Sequence, residues 1–105
     1  MSGPETLDER LRLAIATKRL VQVTYHGRSR TGEPHDYGQQ HGTPKLLFYQ
    51  LQEVGGSRRG TPEGWRLLEV SKIEDCVVLP VTFRGSRGQS HRRHLRWEEL
   101  FARVA

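Results

Sequence analysis

Between Arg84 and Arg96 the chain carries Arg84, Arg87, Arg92, Arg93 and Arg96, with His91 and His94 among them and no acidic residue. Like charges at this density, set among Gly and Ser, suit a flexible arm that follows a phosphate backbone, and equally a solvated tail. Arg28, Arg30, Arg58 and Arg59 would widen the positive surface if the fold gathers them. Tyr25 and Tyr49 stand at alternating positions of apolar runs. A ring there either packs across strands or offers its face to a base, and stacking is worth about 1–3 kcal/mol per base.

Other chemistries find few residues to work with. His91 and His94 lie three apart, and His35-Asp36 with His41 forms a second loose group. A zinc site needs three or four convergent ligands, so no metal is expected. Paired acids, Ser/His/Asp and Cys/His arrangements leave no local signature, and neither a GxGxxG nor a Walker pattern occurs, so the expectation is a protein that is not an enzyme and holds no cofactor. The single Cys76, inside Cys76-Val77-Val78-Leu79, reads as a buried, inert thiol suited to a reducing interior.

Composition sets the partner class. Seventeen basic residues against twelve acidic ones give a net charge of +5 and a pI near 10, and Arg outnumbers Lys fourteen to three. Such a balance favours polyanions, and arginine suits phosphate forks and base stacking better than lysine does. The sequence shows no basic-then-apolar leader and no apolar run near the ~18 residues of a membrane span, so a cytoplasmic location and no membrane partner are expected.

The elements that must position these groups follow from spacing. Thr6-Leu7-Asp8-Glu9 reads as a capping box opening a helix over 6–18, with Leu7, Leu11, Ala14 and Ile15 on one side. From Leu20 the period becomes two, and His26-Gly27-Arg28 punctuates it as a tight turn. Strands are expected at about Ser29–Tyr37, where Pro34 marks an edge or a bulge, then at Lys45–Glu53, Trp65–Val70 and Cys76–Phe83. Ser71–Asp75 reads as a 3₁₀-type turn, and Gly55–Gly64 as a long connection carrying Arg58 and Arg59. After a linker at Gly85–Ser90, Trp97, Leu100, Phe101 and Val104 fall on one face of a predicted terminal helix, which either covers the sheet or associates with a second copy or another protein. At 105 residues this is one domain with one modest core.

Lys18-Arg19-Leu20-Val21-Gln22-Val23-Thr24-Tyr25, Gly32-Glu33-Pro34-His35, Leu46-Leu47-Phe48-Tyr49, Gly64-Trp65-Arg66 and Ser71-Lys72-Ile73 follow one another in an order that resembles a WYL domain, over about two thirds of the chain. Lys45-Leu46-Leu47 stands where that family has Trp-Tyr-Leu, so only Leu47 matches the name-giving residues. The resemblance implies a mainly β fold: a five-stranded, partly open SH3/Sm-like barrel over 20–83, flanked by the N-terminal helix and by a basic linker and helix over 84–105. It also implies a ligand-sensing regulatory module, with Arg66 and Lys72 at the family's basic positions; Tyr25 and Tyr49, read from their own positions, are the candidate stacking surfaces beside those charges. A guanidinium held on a strand and a mobile ammonium could cradle one anion. Family members commonly sit behind a helix-turn-helix domain, for which the roughly eighteen residues before the first strand leave no room. The expected ligand is a nucleotide, another phosphate-bearing molecule or a single-stranded nucleic acid; the alternative is a protein-interaction module or a homo-oligomeric regulator subunit.

Overall fold

The computed structural model describes residues 6–54, 63–88 and 96–105. Helix α1 spans Leu7–Thr17 and opens on the expected capping box: Thr6 Oγ1 accepts from the Glu9 amide at 3.1 Å, and Glu9 Oε1 accepts from the Thr6 amide at 3.0 Å. It stops at Lys18, whose left-handed backbone (φ 54°) returns its N–H to the carbonyls of Ala14 and Ile15. Leu11, Ala14 and Ile15 form its buried side.

Six antiparallel strands follow: β1 (Arg19–Tyr25), β2 (Arg28–Gln40), β3 (Thr43–Val54), β4 (Gly64–Glu69), β5 (Ile73–Thr82) and β6 (Glu99–Arg103), with a 3₁₀ turn at Val70–Lys72 between β4 and β5. Two His-Gly turns close the long hairpins. His26 and Gly27 have φ of 52° and 74°, and His41 and Gly42 have 53° and 75°. Positive φ at both central positions belongs to the two-residue hairpin turn that matches the twist of its strands. The strands expected over Ser29–Tyr37 and Lys45–Glu53 therefore run on to Gln40 and back from Thr43, and β2 and β3 pair along nearly their whole length.

The strand order is β4-β3-β2-β1-β5, and β6 also pairs with β2. β1 occupies β2 from Arg28 to Gly32, and β6 takes the same flank from Asp36 to Gln39. Pro34, which cannot donate to a ladder, falls in the gap between them. Of the two readings for Pro34, edge or bulge, the bulge holds: β2 is central, and its register against β3 shifts between Pro34 and Asp36.

Two expectations are corrected. The terminal helix is replaced by strand β6, because β2 extends past the reach of β1 and its open backbone groups are satisfied by a neighbouring strand, whereas an isolated helix this short gains little. Nor is the ladder closed into a barrel: the six-stranded sheet ends at β4 and β5, which pair only with β3 and β1 among the described residues. The sheet curls nonetheless, since only Val70–Lys72 separates its two edge strands along the chain.

One face of the sheet packs on α1. Its core joins Leu11, Ala14 and Ile15 to Val21, Val23, Tyr25, Tyr37, Leu46, Phe48, Leu68, Ile73, Cys76 and Val104. Cys76 is buried, and that burial pushes its thiol up to about 11. Tyr37 hands its hydroxyl to Asp8 Oδ1 at 2.7 Å, tying the first turn of α1 to β2. No described helix is long and apolar enough to cross a membrane.

Candidate binding surface on the outer sheet face

The second face carries the polar chemistry, and the bulge in β2 creates it. Cross-strand partners share a face, so Pro34 opposite Phe48 and Tyr37 opposite Leu46 belong to the core side. Glu33 opposite Tyr49 and Asp36 opposite Leu47 belong to the other. Strict alternation would separate Glu33 from Asp36; the extra residue in the bulge brings them together. Between them His35 is fully buried, its Nε2 2.9 Å from Glu33 Oε1 and its ring packed edge-on to Trp65 at 4.8 Å and tilted against Phe83 at 5.5 Å.

Each acid anchors an arginine from the C-terminal part of the chain. Arg87 donates from Nε to Glu33 Oε1 at 2.8 Å and from Nη2 to Glu33 Oε2 at 2.9 Å. Arg103 repeats the geometry on Asp36, from Nε to Oδ1 at 3.0 Å and from Nη2 to Oδ2 at 3.2 Å. The indole of Trp97 adds a third donor to Asp36, 3.0 Å from Oδ2. Burial pulls the Glu33 carboxyl upward, but the hydrogen bonds from His35 and Arg87 and their charges outweigh it and hold the group below its ordinary range. The hydrogen bond to Glu33, with its charge, pushes Arg87 further up.

Arg87 also lies flat over Tyr49, its guanidinium carbon 3.6 Å from the ring centroid. Trp65, from the adjacent position on β4, meets Tyr49 edge-on at 5.1 Å. Tyr49 donates its hydroxyl to Glu63 Oε2 at 3.1 Å. The result is a row of π surfaces, Trp65, Tyr49 and the Arg87 plane, on the face that α1 leaves uncovered. Stacking and hydrogen bonding are what this arrangement can do. The His35–Glu33 pair is sealed from solvent and serves packing.

The residues expected to share one ligand site are divided between the faces. Arg66, opposite Phe48, is on the α1 side, where its Nη1 donates to the Trp65 carbonyl at 3.0 Å. Lys72 sits in the 3₁₀ turn, 3.4 Å from Glu69 Oε1. Tyr25 is a core ring, with Arg30 above it at 5.4 Å and its hydroxyl accepting from the Glu69 amide at 3.1 Å. Tyr49 alone of the four lies on the outer face.

Of the arginine run, Arg84 and Arg96 are exposed and Arg87 is held by Glu33. Arg92 and Arg93 lie outside the described residues, as do Arg58 and Arg59. Arg28 and Arg30 turn toward Glu53, at 3.2 and 4.0 Å. Among the described residues no group of three or more His, Cys, Asp or Glu could hold a metal ion.

Sequence reasoning passed over Arg103, and it met Glu33 only within the family-like string and Asp36 only beside His35 in a loose metal group. The available signal was Glu33-Pro34-His35-Asp36 itself: two acids and a histidine around a proline, in a strand too central to leave them in water, require cationic partners. An open cleft of about 450 Å³ also lies between α1 and β5, lined by Arg10, Leu13, Arg19 and Val77 among others. No family model, curated protein or solved structure matches the chain.

Proposed function

We propose that this chain is a non-enzymatic, WYL-like regulatory module that binds a phosphate-bearing ligand, either a nucleotide or a single-stranded nucleic acid. One observation carries the reading: the Arg87 guanidinium stacked on Tyr49 beside Trp65, which puts a cation and half-buried planar aromatic surfaces together on the sheet face away from α1. Bases stack on aromatic rings and on guanidinium planes, and phosphates pair with arginine. The net charge of +5 supplies the long-range attraction, with Arg84, Arg96, Arg66 and Lys72 as contributors. The curl of the sheet, which brings its two edge strands together at the 3₁₀ turn, supports an SH3-like relationship.

Titration of a labelled oligothymidylate at two salt concentrations tests this. Each phosphate contact on a single strand contributes about 0.7 to the slope of log affinity against log salt, so about three contacts give a slope near −2. Affinity that ignores salt sinks the reading.

A second reading, a protein-docking module or a subunit of a homo-oligomeric regulator, draws on β5. Val77 and Val81 on this edge strand are 44% and 53% exposed. Trp97 and Phe101, once expected to make such contacts from a helix, instead face Asp36 and Tyr37 of their own sheet. Salt-insensitive association, with a mass above the monomer, would favour this alternative.

A further inference from the structure

We infer that Arg87 and Arg103 are a pair of pre-oriented forks that hold the backbone of an unpaired nucleic-acid strand across the outer sheet face. The inference rests on the nucleic-acid form of the function proposed above and adds where the strand lies and which atoms hold it. Both arginines spend the same edge on their acids, one N–H from Nε and one from Nη2. A guanidinium carries five N–H donors. The two on Nη1 and the second on Nη2 take no part in the pairing and define another edge, directed away from the carboxylate.

Burial separates the two edges. Glu33 and Asp36 are 7% and 1% exposed, whereas the side chains of Arg87 and Arg103 remain 36% and 50% exposed. The acids thus act from below as anchors, and the guanidiniums above them are already oriented before a ligand arrives. Two parallel donors match two oxygens of a phosphate, and a fork whose rotamer is fixed loses less freedom on binding.

Glu33 and Asp36 are three residues apart on one strand, a separation of about 10 Å at most. The two forks therefore stand at separate points along β2, placed to address different phosphates of one strand. The flat Arg87–Tyr49 stack favours an unpaired strand, because a base inside a duplex has both faces covered by its neighbours. Glu63, at the hydroxyl end of Tyr49, is the repulsive group of the surface and marks the side that the backbone avoids.

Each fork is charge-balanced by its acid, so its contribution is geometric, which separates it from a general basic patch. The probe is a fluorescein-labelled oligothymidylate of about 12 nucleotides, within the range single-strand-binding folds cover, compared with the same oligomer in a duplex. Arg87→Lys and Arg103→Lys keep the charge and lose the fork. Each should weaken single-strand binding about tenfold, the worth of one charge-assisted contact, while leaving the salt slope unchanged. Glu63→Gln should tighten it, and the duplex should bind at least about tenfold more weakly than the single strand.

Melting curves of the variants establish that they are folded. On the wild-type protein, the guanidinium NMR signals of Arg87 and Arg103 should shift as the oligomer is added, a readout that needs no variant. Binding by the wild type with both Lys variants unchanged, with equal affinity for duplex, or with unmoved guanidinium signals overturns this inference and leaves the general function standing. No binding of any oligonucleotide overturns this inference and the nucleic-acid form of that function together; binding of a free nucleotide instead would spare the broader reading.

Discussion

Glu33 shows how one side chain is asked to do two things. It is nearly sealed, so its charge would be costly alone, yet His35 on one side and the Arg87 fork on the other keep it ionised. Its folded pKa lies below the ordinary value. The unfolded chain therefore takes up the proton first as pH falls, at about 4.3 for a free glutamate. The stabilisation it contributes is present above that pH and is lost as pH drops through the folded pKa. Glu33→Gln should lower stability at neutral pH by about 2 kcal/mol, less than a fully buried pair because Arg87 is a third exposed. It should also flatten the dependence of melting temperature on pH below about 4.5. Thermal melts of both proteins between neutral and strongly acidic pH check both effects; parallel curves would mean Glu33 is not the anchor described. Asp8, lowered by the Tyr37 hydroxyl first and by Arg12 after it, adds to the same acid window from the exposed end of α1.

At the scale of elements, β2 organises the molecule, and much of what it does was not legible in the chain. The capping box of Thr6 and Glu9, the apolar side of α1 and the His26-Gly27 turn are local signals, and local chemistry is sufficient to form them. The stripe Trp97, Leu100, Phe101 and Val104 is different. Its spacing fits one helical face, but only Leu100 and Phe101 of the four lie in β6, where the register shifts opposite Tyr37 and Gly38. What decides is the open flank of β2, some sixty residues earlier in sequence. Likewise an unbroken period of two puts Asp36 opposite in sense to Glu33, and only the bulge beside Pro34 reverses it. Gly38 carries the docking of β6: a Cβ there would come within 2.5 Å of the Glu99 carbonyl and 2.8 Å of Trp97 Cε3. Gly38→Ala should therefore destabilise the protein by about 1–3 kcal/mol, the usual penalty of overpacking, and displace β6. Urea titration followed by tryptophan fluorescence measures this, and an unchanged midpoint would contradict the close approach.

For the whole molecule, composition gives a basic charge balance but not where that charge is displayed. A net charge of +5 and fourteen arginines can be read directly, whereas the division of Arg66 and Tyr25 from Tyr49 depends on which way each strand faces. The curled sheet leaves α1 on one side and the Trp65–Tyr49–Arg87 row on the other, so the two candidate surfaces can be tested separately. Backbone amide NMR shifts recorded while an oligothymidylate is added resolve them in one experiment. The largest changes are expected at Tyr49, Trp65, Arg87 and Arg103; changes confined to α1, Arg66 and Lys72 would contradict binding on the outer face.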